Sequence, residues 1–244
     1  MRGLQSRLDN VVKPGRWAMR YRFGLIVVAT VVVSVGMGGV MARAAVRPAV
    51  VADPASAVDM RVMTTGGGND FPGADVPFGM VQWSPDTSPS RPLGGGYNSN
   101  SSQFRGFSLT HLAGPGCGAM QDLPILPMTG GLPSGDPGVH TEAFTHTGEV
   151  AQAGYYAVNS GAGSAIRSEL TATARSGMAR FTFPATTQAD LLIKLRDSQN
   201  GTSASAVTVV GTNEVHGSAT SGHFCGAPDT YTVHFDIVFD QPFA

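Results

Sequence analysis

The chain has 244 residues, with 16 Lys and Arg against 17 Asp and Glu and a formal net charge of −1. That length suffices for one domain, or two small ones, with a core of ordinary size. The near-neutral total conceals an asymmetry. Residues 1–22 hold six basic side chains against the single acid Asp9, whereas from Ala45 onward nine basic and sixteen acidic residues leave −7. A basic face for nucleic acid in the body of the chain is thereby excluded.

Residues 23–41 (FGLIVVATVVVSVGMGGVM) are apolar and small, and Ala42-Arg43-Ala44 supplies an A-x-A cleavage site. A basic head, an apolar run and small residues before a cut describe a secretory signal peptide over 1–44, and hence export. The rival is a retained membrane anchor, because the run approaches the length that spans a bilayer. Residues 45–57 carry Pro, Ala and Val without periodicity and read as a flexible linker, so the ordered domain is expected over 58–244.

Residues 64–87 (TTGGGNDFPGADVPFGMVQWSPDT) open that domain. Three successive glycines give a backbone that tolerates close approach, by another strand or by a ligand, and their N–H groups can form a polar cradle. A short strand is expected over 79–83, ending in a turn at Ser84-Pro85-Asp86-Thr87. Residues 104–112 read as a strand, 113–118 (AGPGCG) as a glycine turn, and 122–128 as an edge or irregular strand interrupted by Pro124 and Pro127. The second half alternates with a period of two. Ile166, Ser168, Leu170 and Ala172 face one way and Arg167, Glu169 and Thr171 the other, and Tyr231, Val233, Phe235, Ile237 and Phe239 repeat the pattern. Strands are also expected over 178–183, 190–195 and 204–210. Many short strands between Gly, Pro and Ser turns make the fold class all-β, an antiparallel β-sandwich.

No histidine pair or Cys/His spacing forms a zinc motif. His140 and His146 fall in a polar hairpin and read as surface residues. His111 follows a strand and precedes a glycine turn, a position that suits either a binding histidine or a strand-end one. Cys117 and Cys225 are the only cysteines, an even count that allows a disulfide in an exported chain without showing it. Asp70, Asp86 and Asp122 lie in loops, where a carboxylate can bond sugar hydroxyls or fold back on its own backbone, and Asp86 in SPDT is read as turn-forming.

Five segments occur in order: FPGADVPFGMVQWSPDT, GGGY (94–97), RGFSLTHLAGPGCG (105–118), ELTATARSGMARFTFP (169–184) and SGHFCG (221–226). Together they resemble the N-terminal domain of glycoside hydrolase family 92, the calcium-dependent exo-acting α-mannosidases, from about Val58 to the chain end. The resemblance implies a galactose mutarotase-like supersandwich that is incomplete at residue 244 and continues into a large helical catalytic domain in cis, so that the last strand lacks a neighbour. It also implies hydrolysis of α-mannoside glycans with inversion, by an acid and a base with room for water between them. In the family those carboxylates and most calcium-binding groups lie in the helical domain. No catalytic or metal residue is therefore carried onto this chain, and no calcium is expected on it alone. What the resemblance leaves here is one wall of the mannose pocket, with Gly67, Gly68, Asp70, Phe71, His111, Cys117 and Asp122 as substrate-binding candidates. The chain departs from the family pattern at Met60–Thr65, between Asp86 and Tyr97 where a tryptophan is missing, and at Met120-Gln121. The first departure bears on the initial strand, the other two on linkage specificity.

Overall fold

The computed structural model describes residues 52–243. Their apolar residues alternate in short runs cut by Gly, Pro and Ser, and they form antiparallel strands with no helix beyond 3₁₀ turns. The strands are β1 (Ser84–Ser88), β2 (Gln103–Ser108), β3 (Ile125–Thr129), β4 (Glu142–Gln152), β5 (Tyr155–Ser160), β6 (Ile166–Ala172), β7 (Gly177–Thr182), β8 (Ala189–Ile193), β9 (Ala204–Val210), β10 (Glu214–Gly222) and β11 (Thr230–Val238). One sheet runs β7-β6-β5-β4-β2-β3-β8 with β1 also on β2, and a second runs β11-β10-β9.

The large sheet forks at β2. β1 pairs along the whole of one edge, from Ser84 opposite Ser108 to Ser88 opposite Gln103. The other edge is shared: β4 takes Gln103 and Phe104, and β3 takes Phe107. Between them lies Gly106 at φ +141°, where a Cβ would sit 3.0 Å from Pro124 and from the Ile125 backbone. A strand offers only two edges, so the arm β4–β7 and the arm β3–β8 diverge from this point and the core fills the space between. Phe104 and Phe107 of β2, Leu126 of β3, Phe144 of β4, Tyr156 and Val158 of β5 and Leu170 of β6 share that core with Trp83 and Tyr97. On β6 the alternation is as expected, Ile166, Ser168 and Leu170 buried between half-exposed neighbours. The second sheet has its own cluster, Leu123, Val215, Ala219 and Phe235, with Val233, Ile237 and Phe239 packed on it. Phe235 lies across Gly217, where a Cβ would stand 2.7 Å from its ring.

Three local expectations are corrected. The SPDT segment is strand β1, buried on both faces, and not a turn; Trp83 before it makes only an isolated bridge to Ala74. The strand expected over 104–112 stops at Ser108. β3 is an interior strand between β2 and β8 despite Pro127, because its ladder to β2 reaches only Ile125 and leaves no pairing there for the proline to break. The expected leader, 1–44, lies outside the described residues, as does most of the expected linker. Of the linker, Pro54–Ala57 forms a 3₁₀ turn whose Ala55 N–H donates to the Asp53 side chain.

Candidate functional site

The glycine segments meet at one end of the large sheet. Gly114 N–H donates to the Asn69 carbonyl (2.9 Å) and Leu112 N–H to the Gly94 carbonyl (3.1 Å). A Cβ on Gly95 would overlap the Asn69 carbonyl, and one on Gly94 would overlap Pro115. These glycines therefore serve approach of one loop to another. The 111–118 loop is tied in turn to the second sheet. Cys117 and Cys225 form a disulfide, Cys225 N–H donates to the Gly118 carbonyl (3.1 Å), and Asn200 Nδ2 donates to the carbonyls of Gly118, Gly222 and His223.

Beneath the junction lies a buried charged network. Asp86 and His111 have fully buried side chains, and His111 Nε2 stands 3.0 Å from Asp86 Oδ1. The other carboxylate oxygen accepts from Arg91 Nη2 (3.0 Å) and from the Ser108 hydroxyl. Arg91 continues to Asp197 through Nη1 (2.9 Å) and to the Gln121 side chain through Nε (2.5 Å), and Arg105 Nε donates to the far oxygen of Asp197 (3.0 Å). Burial pushes the Asp86 carboxyl up, but Arg91, His111 and Ser108 outweigh it and hold it below the usual carboxylate value. Gly96 supplies the room, since a Cβ there would overlap Asp86 and come 3.0 Å from the His111 ring.

The seven expected binding residues separate into two groups. His111, Cys117 and Asp122 are committed within the chain. Asp122 is fully buried and accepts from Thr110 Oγ1 (2.6 Å), Tyr231 (3.0 Å) and Ser198; Cys117 is in the disulfide; His111 Nδ1 lies 2.7 Å from the Gln82 carbonyl. Gly67, Gly68, Asp70 and Phe71 form the other group. Phe71 is buried against the His111 ring (5.2 Å between centroids), and its N–H donates to Asp70 Oδ1 (2.8 Å). Gly67 is exposed at φ +84°, and with Thr64, Thr65, Gly66, Asn69, Ser90, Pro92 and Asn98 it borders a depression of about 170 Å³. That lining mixes the hydroxyls of Thr64, Thr65 and Ser90 and the amides of Asn69 and Asn98 with the glycine backbone and Pro92, groups that can bond a neutral polyhydroxyl ligand.

A second polar cluster lies nearby. The register of β4 against β5 shifts between Thr145 and Val150, a bulge that carries His146 and Glu149. Glu149, only 1% exposed at its side chain, accepts from Tyr97 (2.7 Å) and Tyr156 (2.7 Å), and its other oxygen lies 2.7 Å from His146 Nδ1. His146 is thus a tie between β4 and the Tyr97 loop as well as a surface residue. Among the described residues no three His, Cys, Asp or Glu converge as metal ligands. Calcium takes six to eight oxygens, and the described residues of this chain do not by themselves fit it.

Residues 57–244 match the glycosyl hydrolase family 92 N-terminal domain. The chain belongs to glycoside hydrolase family 92. Among solved structures, this family 92 domain is similar to the α-mannosidase BT3965 from Bacteroides thetaiotaomicron, at 32% identity and a TM-score of 0.67, covering 77% of this chain and 26% of that one. The glycosyl hydrolase ccman5 is similar at 31% identity and a TM-score of 0.66, covering 75% and 26%. A curated relative from Arthroderma benhamiae, described as an uncharacterized secreted glycosidase, is 30% identical over 137 residues, which is 52% of this chain and 17% of the relative. The chain spans about a quarter of the length of the solved relatives.

Within the family 92 domain, sequence reasoning passed over Arg91 and Asp197, read Asp86 as turn-forming and saw Gln121 only as part of a departure from the family pattern. The usable signal was scarcity: the body holds only nine basic residues against sixteen acids, so each basic residue is a candidate internal partner.

Proposed function

We propose that this chain is the non-catalytic N-terminal β-sandwich of an exported α-mannosidase, with 1–44 as its leader, 45–57 as linker and 58–244 as the domain. In this reading it packs on a helical catalytic domain and lines one wall of the mannose pocket with the Gly66–Phe71 loop. Membership of family 92 supports it, as does BT3965, a relative solved in complex with mannoimidazole. The curated relative's description as secreted supports export, and no helix among the described residues is long and apolar enough to cross a membrane.

The observation that carries the pocket assignment is the contrast within the site. The glycine loop keeps an open, hydroxyl-lined face, whereas His111, Cys117 and Asp122 are consumed by internal bonds. Of the expected residues Gly67 is therefore the one proposed to meet sugar, beside Thr65, Asn69 and Asn98, with Gly68, Asp70, Phe71, His111, Cys117 and Asp122 as the frame behind it. A stand-alone carbohydrate-binding sandwich is the second reading, favoured because this chain forms the depression by itself.

The test uses the purified chain. It is expected not to hydrolyse 4-nitrophenyl α-mannoside with or without calcium, because paired acid–base assistance, worth about 10²–10⁴-fold, is missing. Titration with methyl α-mannoside is expected to shift the amides of Thr65, Gly67, Asn69 and Asn98. Calcium-dependent turnover would overturn the non-catalytic role, and an unresponsive glycine loop would overturn the pocket wall. Tight, saturable binding by the chain alone would favour the stand-alone module.

A further inference from the structure

We infer that His111 is a fixed, buried imidazolium cation that positions the Asp70–Phe71 corner of the glycine loop, acting on a ligand through that loop without touching it. The reason lies in its donors and acceptors. Nδ1 faces the backbone carbonyl of Gln82 at 2.7 Å, and Nε2 faces the carboxylate oxygen of Asp86 at 3.0 Å. A carbonyl oxygen accepts only, and an ionised carboxylate accepts only. A neutral ring has one N–H, so either tautomer would set a nitrogen lone pair against an oxygen lone pair at one of these two contacts. The side chain is fully buried, so water cannot relieve that repulsion. Both contacts are satisfied only when both nitrogens carry hydrogens.

The surrounding charges accommodate the cation. On β1, Asp86 is its direct partner and is also bound by Arg91 from the loop before β2. Beyond that pair Arg91 binds Asp197 after β8, which Arg105 on β2 also binds, and Lys194 after β8 lies within the field of these groups. The segment before β1 adds two half-buried carboxylates, Asp70 and Asp75. Burial pushes Asp75 up, with Asp70 adding to the effect and His111 offsetting it. The Asp75 carboxylate has no hydrogen-bond partner among the described residues, so His111 is the positive charge that its field meets.

Geometry connects this charge to the loop. The Phe71 ring rests on the imidazole at 5.2 Å, tilted by 35°, and Phe71 N–H is bonded to Asp70 Oδ1. A cation beneath an aromatic ring attracts it more than a neutral ring does. His111 thus holds the corner from which Asn69 and Gly67 reach the depression. That link to ligand binding rests on the pocket reading above; the charge state does not.

The experiment records long-range ¹H–¹⁵N imidazole spectra of the ¹⁵N-labelled chain from pH 5 to 9, alongside His111→Gln. Free histidine in the same buffer serves as the reference and loses the two-proton signature as the pH passes about 6.5, whereas the His111 ring is expected to show it at pH 8. In the variant, the amides of Asp70 and Phe71 are expected to shift and to exchange at least tenfold faster, with β10 and β11 unchanged. A neutral-tautomer spectrum for His111 at pH 7 would overturn the charge assignment. A variant whose Asp70 and Phe71 amides match the parent would overturn the positioning role. If methyl α-mannoside leaves the loop unmoved while the imidazolium signature persists, the pocket reading falls and the charged His111 stands. Should the variant not fold, the parent spectrum alone decides the charge, and Phe71→Leu, which removes the aromatic contact, decides the coupling by whether the His111 ring signals move.

Discussion

At Asp86 the carboxylate has no contact with solvent, and its two oxygens are shared among His111, Arg91 and Ser108. Removing one partner of a buried ion pair leaves the other charge uncompensated, at a cost of about 3–5 kcal/mol. Asp86→Asn is therefore expected to lower unfolding stability by that order in urea, with Arg91 stranded beside the glycine junction. A loss under about 1 kcal/mol would mean that the network is solvated in practice.

Lys194 allows a pH experiment at the same scale. It is the only lysine among the described residues, it is 4% exposed, and its amine donates to the His140 carbonyl. Burial pulls it from 10.5 down to about 8, with Arg105 and Arg91 adding to the effect and Asp197 opposing it. Between pH 8 and 10.5 the unfolded chain then holds more protons than the folded one, so raising the pH through this window favours folding. The gain is up to about 3 kcal/mol. Above about pH 10 the trend reverses. Tyr97, Tyr156 and Tyr231 are pushed up, chiefly by burial, and keep their protons in the fold while the unfolded chain loses them. Denaturant midpoints measured from pH 7.5 to 9.5 should rise more steeply with pH, or fall less, in the parent than in Lys194→Met; equal slopes would remove Lys194 as the cause.

Among the elements, the 111–123 loop illustrates how tertiary bonds impose a backbone that the residues themselves disfavour. Met120, Gln121 and Leu123 all have φ near +60°, a region that costs non-glycine residues of order 1 kcal/mol each. Gln121 is held there by Arg91, Leu123 by the second core and the start of the loop by Cys117–Cys225. The disulfide closes a separation of 108 residues. On the chain-entropy argument such a link stabilises by roughly 4–5 kcal/mol. Cys225→Ser is expected to lower the melting temperature by at least about 10 °C on the usual size scaling. An unchanged melting temperature would show that Asn200 and the network hold the loop without it.

At the scale of the molecule, the second sheet is half covered. Val215, Ala219 and Phe235 are buried on one face, yet Val207 and Val209 of β9, paired opposite Gly217 and Val215 on that same face, are 51% and 59% exposed. No described strand pairs with the outer edge of β9 or of β11. Open edges beside exposed β-branched side chains template further pairing. The chain is expected to self-associate as its concentration rises, by light scattering, and Val207→Lys with Val209→Thr is expected to suppress this without lowering the melting temperature. Association that ignores both substitutions would place the contact elsewhere.

The sequence by itself determined the all-β class and the faces of β6 and β11, because side chains alternate across a strand and the alternation survives any packing. The order of its motifs was enough for family 92. It placed the glycine loops but not their use, since Gly94, Gly95 and Gly96 are required by what presses on them and not by their own neighbours. Asp86 was misread for the same reason: in SPDT it has the local signature of a turn, and its partners Arg91, Ser108 and His111 come from other segments. Only the tertiary structure decided that network, the fork at Gly106 and the disulfide. Each depends on residues far apart in the chain, such as Arg91 and Asp197 at a separation of 106, and local pattern carries no information about which distant groups will share a buried site.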